Sequence, residues 1–136
     1  MTASKDEWAN EIMALDKLVI EGLDQKWLKA KAIALGGKPD DRMRQLKLMQ
    51  CCLVQLGFEE DHAHELMRPF HEIHNLRTLV KGHRWGSDAS NESNRVLKEF
   101  GTFKKHFMSL CQRCDESLEI IVAGFDEHGS DGGRGN

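Results

Sequence analysis

The chain has 136 residues, 40% of them hydrophobic and 30% charged. That length suits one core, and the composition is too apolar for a disordered chain and too interrupted by charge for a bilayer-spanning segment. Lys and Arg number 19 against 22 Asp and Glu, a formal charge of -3, so any contact with nucleic acid has to come from a local patch and not from total charge. Two prolines, no tyrosine and recurrent Leu, Met, Lys, Glu and Ala favour helices over strands.

Ser4 followed by Glu7 reads as a capping box, and Trp8, Ile12, Leu15, Val19, Leu23, Trp27 and Ala30 recur behind it at helical spacing. This predicts one long first helix ending near Gly36-Gly37, with Trp8 and Trp27 in the core. After Lys38-Pro39-Asp40-Asp41, the residues Met43, Leu46, Met49, Leu53 and Leu56 predict a shorter helix that stops at Gly57. A third helix is expected from about Glu59 to Gly82 on Leu66, Phe70, Ile73, Leu76 and Val80, with Pro69 kinking or dividing it. The final helix, capped by Ser90 or Asn91, carries Val96, Phe100, Phe103, Phe107, Cys111, Cys114, Leu118, Ile121 and Phe125 in alternating steps of three and four.

Four helices with one apolar stripe each can bury those stripes as an antiparallel bundle. The expected organisation is a single all-α domain over residues 1–126 followed by a flexible Gly-rich tail over 127–136. Surplus stripe on the first and last helices would be covered in a homodimer. Acids at Asp6 and Glu7 do not suit a secretory signal, and four cysteines in a chain with its own core suit a reducing cytoplasm. Cys111-x-x-Cys114 falls on the Phe-rich seam and reads as small core residues. A single Glu59-x-x-His62 is too little for a helical-bundle metal site, so neither metal nor cofactor is expected. The acidic run Glu59-Glu60-Asp61 reads as a helix start favoured by the dipole.

The chemistry gathers between Pro69 and Gly86. From Arg68 to His106 there are eight Lys and Arg, four Asp and Glu and four His, a locally positive stretch in an acidic chain. A phosphate would suit it. Arg77 falls on the stripe of Leu66, Phe70, Ile73 and Val80, where a cation left unpaired would be costly. His83 lies six residues on, roughly 120° around an unbroken helix, so the two side chains converge only if the chain reverses at Gly82.

Arg77-Thr78-Leu79-Val80-Lys81-Gly82-His83, at the end of a helix in a small all-α chain, resembles the RNase-type motif of HEPN (higher eukaryotes and prokaryotes nucleotide-binding) domains. The position after the arginine, commonly Asn, Asp or His in members that cut, is Thr78 here. The resemblance implies a metal-independent endoribonuclease, of the toxin or defence type, built as a dimer around a shared cleft. It implies Arg77 and His83 as catalytic residues, the histidine moving a proton near neutral pH and the arginine stabilising phosphate charge. Lys81, Arg84, His74 and Thr78 would contact the substrate backbone, and Trp85 would stack a base. Other members of that family do not cut and instead bind a nucleotide, RNA or a partner protein.

Overall fold

The computed structural model describes the backbone at residues 5–80 and 87–134, with side chains described over 5–80 and 90–127. All regular structure among the described residues is helical: α1 (Lys5–Val19), α2 (Gln25–Ala34), α3 (Gln45–Gln55), α4 (Glu60–Val80), α5 (Ser87–Phe100) and α6 (Phe103–Arg134). No strand occurs among these residues, and none of these helices is long and apolar enough to cross a membrane.

The all-helical expectation is met with six helices where four were predicted, because local backbone chemistry interrupts two long periodic stretches. The first stretch divides into α1 and α2. A Cβ at Gly22 would stand 2.6 Å from the Leu18 carbonyl oxygen. Asp24 then restarts the chain as an N-cap, its carboxylate accepting from the Trp27 amide at 3.1 Å. The last stretch divides at Gly101, whose φ of 85° is a left-handed conformation that glycine adopts without cost to a side chain. The Thr102 hydroxyl next accepts from the Lys105 amide at 3.0 Å and opens α6.

Smaller differences have the same origin. The α3 helix starts at Gln45, after a turn in which the Asp40 carboxylate accepts from the Arg42 amide at 2.8 Å. It ends at Gly57, φ 110°, as its sequence predicts. The α4 helix runs continuously through Pro69, and α5 begins at Ser87, ahead of the expected cap. The backbone of α6 stays helical to Arg134, into the stretch expected as a tail.

The chain forms two compact units, Met1–Gly22 with Pro69–Cys114, and Leu23–Arg68 with Asp115–Asn136. In the first, Trp8, Ile12, Phe70, Ile73, Leu76, Val96 and Leu110 are buried, and the Trp8 ring stacks on Phe103 at 5.0 Å between centroids. In the second, α2 packs on α3. Leu28, Ala32, Leu48, Leu53, Leu66 and Ile121 are buried there, and the Cys52 thiol donates to the Leu28 carbonyl at 3.5 Å. Trp27 is not core: it is 53% exposed, because restarting the helix at Asp24 turns Leu28 and Ala32 inward in its place. The seam of α6 is also displaced from the predicted one. His106 and Leu110 occupy the buried line where Phe107 and Cys111 were expected, and both of the latter are half-buried.

Candidate functional site

The predicted site divides at Val80. Arg77, His74 and Thr78 lie on the last turns of α4. His83, Lys81, Arg84 and Trp85 lie outside the described residues.

Arg77 is not left unpaired on its apolar stripe. Asp16, on α1, occupies the buried line of Ile12 and Ile20 and is 1% exposed. Its Oδ2 takes the Arg77 Nε at 3.1 Å. Glu21, just past the end of α1, lies 3.6 Å from the Arg77 Nη2. His74, one turn before Arg77 on the same face of α4, brings its Nδ1 to 3.6 Å from Asp16 Oδ1, an oxygen that has no hydrogen-bond partner among the described residues. Burial pushes the Asp16 carboxyl above its ordinary value, against the opposing pull of Arg77 and His74. The Thr78 hydroxyl donates to the His74 carbonyl at 3.1 Å, a bond back into its own helix.

One guanidinium thus faces two carboxylates, one of them buried, and its own side chain is only 27% exposed. A phosphate reaching Arg77 through Nε or Nη2 would have to compete with Asp16 and Glu21. The positive balance counted along Arg68–His106 does not persist in space at this arginine, because its partners come from α1.

A second polar network in the same unit was not expected. His106 is fully buried on α6. The Trp8 indole Nε1 donates to its Nδ1 at 3.0 Å. An indole nitrogen can only donate, so Nδ1 accepts and the ring proton sits on Nε2. That nitrogen meets Glu72 Oε2 at 3.3 Å. Glu72 in turn receives the Arg113 fork, Nη1 to Oε1 at 3.0 Å and Nη2 to Oε2 at 3.1 Å. Burial by itself raises the Glu72 carboxyl, but the hydrogen bonds from His106 and Arg113, with the guanidinium charge, outweigh it and bring the carboxyl to about 2. The same contact holds Arg113 more firmly protonated. Phe100 meets the His106 ring edge-on at 5.0 Å. Every polar atom of this chain of contacts finds a partner, which is how a closed structural network behaves.

Periodicity held a partial signal for both clusters. Asp16 is four residues from Ile12 and four from Ile20, and His106 is four before Leu110. A polar residue at such a position shows only that a partner is needed and does not say which one.

Among the described residues, no group of three or more His, Cys, Asp or Glu side chains is arranged to hold a metal ion. The chain matches no family model, and no curated protein or solved structure matches it significantly. The likeness to HEPN domains therefore rests on the Arg77–His83 spacing and the helical content.

Proposed function

We propose that the chain is a non-catalytic, HEPN-like helical module that acts by binding a partner protein. The observation that carries this reading is the commitment of Arg77 to Asp16 and Glu21. A catalytic arginine must offer its charge to a phosphate at the moment of reaction, and this one already spends it on stabilising a buried carboxylate. The exposed apolar side chains Trp27, Ile33, Met108 and Val122, each more than half exposed, favour a protein over a nucleotide as the bound species. Four cysteines in a chain with its own core suit a reducing cytoplasm as the place where it works.

The competing reading is a metal-independent endoribonuclease using Arg77 and His83, in a homodimer with a shared cleft. Incubation of the full chain with generic single-stranded RNA in the presence of a chelator separates the two. The expected outcome is intact RNA with the wild type, Arg77→Ala and His83→Ala alike. Cleavage by the wild type that disappears in both variants, each still folded by circular dichroism, would establish the endoribonuclease instead.

A further inference from the structure

The outward face of α6 in the second unit is apolar and acidic at once. Asp115, Leu118, Glu119, Val122, Ala123 and Asp126 line a shallow groove of about 500 Å³. Their spacing places them along one side of the helix, away from the buried Ser117 and Ile121. Val122 is 53% exposed. Beside it the half-buried Phe125 meets the exposed Trp27 ring of α2 at 5.9 Å between centroids, extending the apolar strip onto a second helix. From Cys114 to Glu127 the helix carries Asp115, Glu116, Glu119, Asp126 and Glu127 and no Lys or Arg. Asp115, Glu119 and Asp126 form no ion pair among the described residues.

We infer that this face docks a basic amphipathic helix of a partner protein, an inference that rests on the binding-module reading and names its surface. Helix-in-groove recognition needs apolar anchors at turn-like spacing on each side, and Leu118, Val122, Phe125 and Trp27 supply them here. The charge of the α6 rim, acidic from Asp115 to Glu127, selects the occupant, while Lys26 and Lys31 lie beside Trp27 on α2. An isologous second copy would set acid against acid, an anionic lipid surface would be repelled, and RNA would bring phosphates to carboxylates. A helix with Lys or Arg flanking an apolar stripe meets the rim with the opposite sign and covers the strip with its own side chains.

The probe is a short synthetic helix of Leu and Lys, labelled for fluorescence anisotropy and titrated with the full chain, beside a Leu and Glu counterpart. The expected result is saturable binding of the lysine helix, weakened by salt, absent for the glutamate helix, and reduced about tenfold or more by the Glu119→Lys/Asp126→Lys double variant. Val122→Asp should weaken it as well, while Arg77→Ala should not. Equal affinity for wild type and the double variant, or equal affinity for both helices, overturns the inference. So does a stable dimer by sedimentation that Val122→Asp dissociates, or binding of phosphatidylserine-rich vesicles through the same residues. If the peptide fails and RNA also stays intact, only this surface is wrong. RNA cleavage lost in Arg77→Ala and His83→Ala would instead remove the module reading itself.

Discussion

Substituting Glu72 with Gln tests the buried network with one atom changed. The carboxyl falls from its ordinary 4.5 to about 2 in the fold, and each unit of such a shift is worth 1.36 kcal/mol, so the ionised form is favoured by about 3 kcal/mol as an upper figure. The side chain is 28% exposed, and solvent reduces the realised effect to about 2 kcal/mol. Gln retains an acceptor for His106 Nε2 or for one arm of Arg113 but loses the charge and the second acceptor. Urea unfolding followed by tryptophan fluorescence should show this loss at pH 7. Because Glu72 holds its proton more weakly when folded than when unfolded, its stabilisation is complete above 4.5 and drains away as the pH falls toward about 2. The gap between wild type and Glu72→Gln should narrow over that interval. Equal midpoints at pH 7, or a gap undiminished at the acid end, would refute the reasoning.

Two other substitutions follow from single contacts. Trp8→Phe removes the indole donor to His106 Nδ1, a buried acceptor, and should cost about 2–4 kcal/mol in chemical denaturation from the unpaired nitrogen and the lost ring; a loss below the error of the titration would mean that the indole bond contributes nothing. The Cβ of Gly101→Ala meets no atom of the described residues within 4 Å, so its effect isolates the backbone conformation at φ 85°. It should lower stability by about 1–2 kcal/mol, seen as a reduced melting temperature, with helical content by circular dichroism unchanged.

Helix content was legible because apolar spacing and breakers such as Gly57 are local signals. The breaks at Gly22 and Gly101 leave no mark in the apolar pattern, for a geometric reason. Val19 and Leu23 stand four apart, Phe100 and Phe103 three apart, so the apolar rhythm passes over each break without a visible fault. Only Asp24 and Thr102, as caps, distinguish two helices from one. The residue swap on α6 has a different cause. His106 belongs to the buried line because Trp8, 98 residues away, and Glu72, 34 residues away, satisfy its two nitrogens. Nothing near position 106 in the chain announces either partner.

The same limit explains the candidate site. Arg77 on an apolar stripe correctly implied a need for compensation, and its partners Asp16 and Glu21 lie on and beside α1. Both lie outside the stretch from Arg68 to His106, so a segment that is basic in sequence contains an arginine that is neutralised in space. His74 points to the same aspartate.

The central claim is that Arg77 serves the fold through Asp16. A double-mutant cycle of Asp16→Asn and Arg77→Gln, measured by urea unfolding and paired with an RNA-cleavage assay on each variant, tests it most directly. The account predicts a coupling energy of about 1–3 kcal/mol between the two positions, with RNA left intact by all four proteins. Additive stabilities, together with RNA cleavage by the wild type that Arg77→Gln abolishes, would contradict it.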